Sequence, residues 1–587
     1  MNTRHFLSRG PAALAGMILV LVAACSRGPE PVEAVTADIS TIRSTSQGDL
    51  IGFVTGDGVR VWRGVPYARP PVGDLRWRAP RPPRPWGGRL DALDFGPRCP
   101  QVTNALDQGE GLKAGQLVGE EDCLTLNIYT PADDGSGPWP VMVWIHGGGN
   151  VWGRASQFDG SRLAADQKVV VVTIQYRIGP LGWFAHGALR ATAEIEEDRS
   201  ANFGTLDIIA SLEWVQDQID IFGGDPERVT VFGESAGGHN VGSLIGSPKA
   251  AGLFHRAILQ SGSFRSVPLD VAEGTAGSRS GAARPMARAM LTGEGGPGDG
   301  FPDDTLAQAL RRLPLEAVFE PYRAGSSGLI DLPRIINDGI AVPENGLREA
   351  TATPGGFNAV PIISGTNRDE TKLFNFLDPA YVRSLFGLVY WAKDPLLYDL
   401  IAEYQSVIWR VLATDDAFAR LAGAGHTDLY GYRFDWDEES RFLFTDFAKL
   451  IGAAHALEIP FVFDRYQFFG GAGDSFFFTE DNKPGRDAVS SAMRAAWGRF
   501  AHTGRPMPDW PSYGDGRLMV FDSPEGGGMR VEAGVETLEG VLARLETDDR
   551  MKTPEQRCKV LDAVIAWHPE VAPFRAGFRS GACLAGR

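Results

Sequence analysis

Nowhere in this 587-residue chain is there an apolar run of the ~20 residues that a membrane-crossing helix needs. Cysteine is scarce, at five residues, and no CxxC or HExxH spacing occurs, so neither a structural nor a catalytic zinc site has sequence support. Basic residues are outnumbered 57 to 73, and the resulting formal charge of −16 sets up a field that repels phosphate backbones. Nucleic acid is therefore excluded as a ready partner. No internal repeat is visible, and acidic runs such as Asp435 to Glu439 read as solvated faces. What is present fits a globular chain: 43% hydrophobic and 22% charged residues, with a mean hydropathy of −0.13 that argues against a polytopic membrane protein. At ~150 residues per domain the length allows about four domains or one oversized core.

The first residues form a separate object. Arg4 and Arg9 precede the apolar run Ala12 to Ala24, which ends in small residues as a secretory cleavage site does. Residues 1–24 read as a signal peptide. Leu21-Val22-Ala23-Ala24-Cys25 resembles the lipobox of bacterial lipoproteins, which implies lipidation at Cys25, membrane tethering by that lipid, and an exported protein of the periplasm or outer membrane. Residues 25–47 lack apolar periodicity and read as a tether, leaving 48–587 as one domain. Cys99, Cys123, Cys558 and Cys583 make an even set, and their near spacings favour Cys99 with Cys123 and Cys558 with Cys583 among three possible pairings. Such bridges suit an oxidising compartment.

Short β-branched runs recur with helical stretches between them. Val141 to Ile145, Val169 to Ile174, Val229 to Phe232, Val360 to Ile363 and Leu429 to Phe434 read as strands, the first three apolar nearly throughout. Ile208 to Ile219 has the spacing of a helix face. The alternation implies an α/β protein with a mostly parallel central sheet. Glu273 to Asp303, rich in Gly, Arg and Ala, reads as an exposed, mobile insertion.

Gly233-Glu234-Ser235-Ala236-Gly237 matches the GxSxG elbow, in which a serine sits on a sharp turn between a strand and a helix. The bare pattern is weak, but Val229-Thr230-Val231-Phe232 supplies the strand that must lead into it. Ser235 is thus a candidate nucleophile. His146-Gly147-Gly148-Gly149 follows another strand and matches the loop that lends backbone N–H groups to an oxyanion hole. Ala236 N–H, just past the serine, is a further donor. Among nine histidines, the chain order serine, acid, histidine leaves His426, His455, His502 and His568 as candidate bases. Asp369-Glu370, after a strand, is an attractive acid because a carboxylate at a strand's carboxyl end faces the crevice.

Longer blocks extend these motifs. Arg63-Gly64-Val65-Pro66-Tyr67-Ala68, Glu121-Asp122-Cys123-Leu124-Thr125-Leu126-Asn127, Phe222 to Gly238, Gln260-Ser261-Gly262-Ser263 and Trp497 to Pro506 make the chain resemble the type B carboxylesterases of the α/β-hydrolase fold. The resemblance spans nearly the whole mature length. It implies a catalytic serine at Ser235, its acid at Glu370, its base at His455, and oxyanion donors at Gly148, Gly149 and Ala236. It also implies the Cys99–Cys123 disulfide and a supporting hydrogen bond from Ser261 to the acid's network. Two departures stand out: Asn150 occupies a place where the family often has phenylalanine, and the stretch after Ser263 lacks the family's second cysteine pair. Residues 100–122 contain no Trp, so the cation-binding tryptophan of the family's cholinesterases is missing and choline esters are not the expected substrates.

The expected chemistry is hydrolysis of a small-molecule carboxylic ester through an acyl-enzyme, with no cofactor and no metal. A non-catalytic binding protein on the same fold, or a natural amide, lactone or carbonate bond, are the competing readings. Trp152 and Trp183 are candidate pocket walls, with plain core as the default reading.

Overall fold

The computed structural model describes residues 35–104, 111–132, 135–277, 279–293, 300–322, 329–385, 387–466, 474–577 and 583. The signal-peptide reading and Cys25 lie outside these residues.

Eleven strands form one sheet. In chain order they are β1 (Phe53–Val54), β2 (Arg60–Pro66), β3 (Thr125–Thr130), β4 (Trp139–Ile145), β5 (Val170–Ile174), β6 (Gly224–Glu234), β7 (Arg256–Gln260), β8 (Ile362–Asn367), β9 (Leu429–Phe434), β10 (Arg517–Phe521) and β11 (Arg530–Ala533). Their spatial order is β11-β10-β9-β8-β7-β6-β4-β5-β3-β2-β1. The run from β10 to β5 is parallel throughout, while β11, β3, β2 and β1 pair antiparallel at the two edges. This is the α/β-hydrolase fold.

Period-two packing between two cores explains why the central strands are apolar nearly throughout their inner stretches. Val141, Val143 and Ile145 of β4 enter one core with Val229 and Val231 of β6, while Met142 and Trp144 enter a second core on the opposite face with Phe232. Helix α1 (Phe203–Gln218) covers the first face with Ile208, Leu212 and Val215. Helix α2 (Ala236–Gly246) follows β6 after a single residue. Helix α4 (Lys483–Thr503) covers the second face with Val489, Met493, Trp497 and Phe500. A third core joins helix α3 (Pro395–Arg410) to helix α5 (Pro554–Trp567) through Ile401, Tyr404 and Ile408 against Val560, Leu561 and Val564. Both expected disulfides form, Cys99–Cys123 and Cys558–Cys583, the second stapling that helical cap.

Three expectations are corrected. Residues 38–47 are not a free tether: Thr41 is fully buried and its hydroxyl accepts Gly52 N–H, its carbonyl accepts the Trp62 indole N–H, and Arg43–Thr45 pairs with Gly48–Ile51. A folded segment anchored by one buried polar residue leaves no apolar periodicity to read. The stretch from Glu273 to Asp303 is likewise not a bare insertion, because Ala283–Gly293 is a helix that buries Ala283, Ala287, Met290 and Leu291 in the main core. Its small apolar residues made it resemble a loop. The strand expected at Val360 to Ile363 runs instead over Ile362–Asn367 and so ends three residues before Glu370.

Candidate active site

Strand β6 ends at Glu234 and α2 begins at Ala236, so Ser235 alone makes the turn, with φ 55° and ψ −119°. A side chain held in such a backbone conformation persists only where its surroundings over-determine it. Here Ser235 N–H donates to Gln260 O at 2.8 Å, and a Cβ on Gly237 would stand 1.9 Å from Ile145 O. Glycine at that position lets the elbow press onto the end of β4.

The glycine loop leaves the same end of β4. Gly148 and Gly149 have φ of 86° and 62°. The Gly148 carbonyl accepts N–H groups from Val151 and Trp152, which closes the turn, and a Cβ on Gly148 would lie 2.0 Å from Trp152 O. Among the described residues the N–H groups of Gly148 and Gly149 donate to no acceptor. Buried backbone donors are nearly always paired, so two left open at a cavity wall form a place for an anion. Behind the loop, Tyr176 donates to His146 O at 2.6 Å and to Asn150 Oδ1 at 3.2 Å. Asn150 and Asn240 exchange amide hydrogen bonds at 2.9 and 3.1 Å. Asn150 is therefore a buried brace rather than a pocket residue.

Glu370 and His455 come from two loops zipped together. Asp369 N–H donates to Ala453 O at 2.9 Å and His455 N–H to Glu370 O at 3.2 Å. His455 Nδ1 lies 2.5 Å from Glu370 Oε2. The other carboxylate oxygen accepts Ser261 Oγ at 2.6 Å and Asn367 N–H at 2.8 Å, so the fully buried Glu370 is orientated on both sides. Ser261 thus makes the hydrogen bond to Glu370 that the resemblance implies. Of the other candidate bases, His502 bonds Gln167 O, His568 bonds Gln405 O, and His426 packs against Phe357 away from the serine.

Nε2 of His455 sits 3.1 Å from Glu234 Oε1, and in this resting geometry it forms no hydrogen bond to Ser235. Catalytic hydrogen bonds commonly tighten only when substrate is bound. Burial pushes the Glu234 carboxyl well above the usual carboxylate range, and the neighbouring His455 works against that rise. Burial of the His455 ring favours its neutral form, but carboxyl groups at both nitrogens outweigh that and push it up to about 9.

Ser235, His455 and the glycine loop line one cavity of about 810 Å³. Trp409 and Phe374 lie 4.8 and 5.3 Å from the His455 ring, and Trp567 packs on Phe374 at 4.7 Å, so the cap walls the imidazole. His239, Arg265 and Arg334 line the same cavity. Trp152 lines this cavity, whereas Trp183 is core. Sequence reasoning missed Glu234, Trp409, Arg265 and Arg334 as site residues. Only Glu234, beside the nucleophile, carried a signal that could have been read.

The profile described as the carboxylesterase family matches residues 39–385. The chain is 34% identical to a para-nitrobenzyl esterase of Bacillus subtilis (strain 168) over 489 residues, covering 80% of this chain and 92% of that one. It is 34% identical to a fumonisin B1 esterase of Sphingopyxis macrogoltabida over 558 residues, 89% of this chain and 93% of that one. Among solved structures, a thermophilic PNB esterase superposes with a TM-score of 0.63 at 31% identity, covering 85% and 99% of the two chains.

Proposed function

From the premise that the chain belongs to the carboxylesterase family, we propose that Ser235 is its nucleophile, His455 its base, Glu370 its acid, and Gly148, Gly149 and Ala236 its oxyanion donors. The protein is a serine carboxylic-ester hydrolase that works through an acyl-enzyme. What carries the residue assignment is one arrangement: the strained Ser235, the Glu370-held His455 and two open glycine N–H groups face a single cavity.

His455 takes the Ser235 proton as the hydroxyl oxygen attacks the ester carbonyl, and the loop N–H groups receive the negative charge that develops. His455 Nε2 then protonates the leaving alcohol. Water, deprotonated by the same imidazole, releases the acid. Glu370 fixes the tautomer and stabilises the imidazolium at each stage. The expected substrates are small neutral or singly charged esters. Ser235→Ala should abolish turnover of p-nitrophenyl butyrate while leaving the circular dichroism spectrum intact; retained turnover would refute the assignment.

The localisation reading is also ours: an exported protein, tethered by a lipid on Cys25. The charged leader with its apolar run supports it, and so do two disulfides, which persist in oxidising compartments. Metabolic palmitate labelling should mark the wild type and not Cys25→Ser. Equal labelling of both would overturn it.

A further inference from the structure

One helical turn past the nucleophile stands a histidine that the triad does not use. His239 N–H donates to Ser235 O at 2.9 Å, the first turn of α2, so the two side chains share one face of the helix. A glycine contact fixes what reaches its ring. A Cβ on Gly262 would lie 2.4 Å from Gly238 C, so the segment that leaves β7 presses directly on α2. That approach brings Ser263 N–H to 2.7 Å from His239 Nδ1, with Ser263 Oγ at 3.0 Å.

A backbone N–H can only donate, so Nδ1 is the accepting nitrogen and Nε2 carries the ring hydrogen. Ser263 O, 3.2 Å from Nδ1, is the longer contact and does not reverse that assignment. Burial, reinforced by the positive charge of Arg265, pushes the ring down to about 3, so it is uncharged at neutral pH. Nε2 meets no acceptor among the described residues, yet it is not sealed in the interior: the half-buried ring lines the cavity together with Ser235. A donor whose ring is pinned through its other nitrogen cannot turn away. It is pre-organised for an acceptor that arrives with the substrate.

We propose that His239 is a substrate-recognition residue: its Nε2–H donates to an uncharged oxygen a few bonds from the scissile carbonyl, so that esters bearing a carbonyl, hydroxyl or ether oxygen there are preferred over their hydrocarbon isosteres. Cβ atoms one helical turn apart are about 5–6 Å from each other, which keeps the ring close enough to the nucleophile for one small substrate to touch both. A neutral donor needs no charge on its ligand. It offsets the cost of taking an oxygen out of water, a cost that an apolar wall leaves uncompensated. The proposal rests on the esterase reading and holds whichever half of the ester, acyl or alcohol, lies against the ring.

Two pairs of isosteres test it, one for each half of the ester. On the acyl side, 4-nitrophenyl 4-oxopentanoate is compared with 4-nitrophenyl 4-methylpentanoate, and on the alcohol side, 2-oxopropyl butyrate with isobutyl butyrate. In each pair a carbonyl oxygen replaces a methyl group. Asparagine at position 239 sets its amide oxygen where Nδ1 stands, which keeps the Ser263 bond and removes the reach of Nε2, whereas glutamine sets an amide N–H near the place of Nε2. His239→Asn should lower the keto-to-alkyl ratio of kcat/KM about two- to tenfold in at least one pair, the loss of one neutral hydrogen bond, and His239→Gln should restore it. The pair that responds identifies the half that faces the ring. A ratio unmoved by His239→Asn in both pairs overturns the proposal, because a purely structural role slows both members alike; so does a fall that His239→Gln fails to restore. Should either variant not fold, the wild type decides: its keto-to-alkyl ratio, divided by the same ratio for hydrolysis by hydroxide, should exceed one in at least one pair, and a value of one or less in both overturns the proposal. Hydrolysis of none of the four esters by the wild type would instead refute the esterase reading itself.

Discussion

Gly148→Ala is the sharpest test of how the oxyanion loop is built. A β-carbon at this position has two separate costs. The backbone φ of 86° is one that an L-residue adopts at a cost of about 1–2 kcal/mol. The new methyl would also meet Trp152 O at 2.0 Å, far inside contact distance, and that oxygen belongs to the turn whose N–H groups bond Gly148 O. Backbone against backbone cannot give by rotating a side chain, so the turn must open and the N–H of residue 148 must swing from its direction. Loss of one oxyanion donor raises the barrier by ~2.7–4 kcal/mol, which predicts a fall in kcat of about 10²–10³ with little change in KM. Gly252→Ala isolates the backbone cost. Gly252 has φ of 80°, lies outside the site, and has no atom within 4 Å of the added methyl. It should lower the urea midpoint and leave kcat alone. Steady-state hydrolysis of p-nitrophenyl butyrate with parallel urea melts reads both quantities. A Gly148→Ala enzyme within fivefold of wild-type kcat would refute the reasoning, as would an equal loss in Gly252→Ala.

The pH dependence of kcat/KM should show a rising limb well above the ordinary histidine value of about 6.5, because His455 must be neutral to accept the serine proton and burial of the ring is outweighed by the carboxyl groups that push it up to about 9. Activity is thus lost as pH falls through that limb; a limb at or below 6.5, measured from pH 5 to 10, contradicts the assignment. Removing the Cys99–Cys123 bridge as Cys99→Ala with Cys123→Ala should cost about 3–4 kcal/mol of stability for its 24-residue separation, read as a lower urea midpoint. It should also lower kcat, since Gln101, two residues from Cys99, clasps the backbone of Gly153 at 2.9 and 3.0 Å beside the oxyanion loop. An unchanged midpoint would show the bridge to be idle.

Legibility followed the range of the physics. The elbow could be read because its demands are local: a strand, then glycines where a β-carbon would strike β4, then a helix. The histidine could not be chosen from residue spacing, because its partner is 85 residues away and is brought there by loops that hydrogen-bond only in the fold. The resemblance supplied that choice, and the 2.5 Å contact agrees with it. Asn150 looked like a pocket change; in the fold its amide turns inward to Asn240 and Tyr176. Arg334 carried no sequence signal, since a lone arginine near Asp331 and Asp338 looks like any surface ion pair. The buried Thr41 was equally silent, one polar residue among short polar strands.

The wall beside the His455 ring is supplied in part by Trp409 of α3 and Trp567 of α5, helices held together by a small core of their own, with a disulfide fastening α5 to Cys583. The machinery that breaks the bond is anchored on the sheet. This division of labour separates what must be invariant from what can drift: natural selection or a laboratory library can remodel Trp409 and Trp567 and so reshape the cavity while Ser235, His455 and the glycine turn keep their places. Evolvability of cavity shape is thereby written into the architecture of the cap.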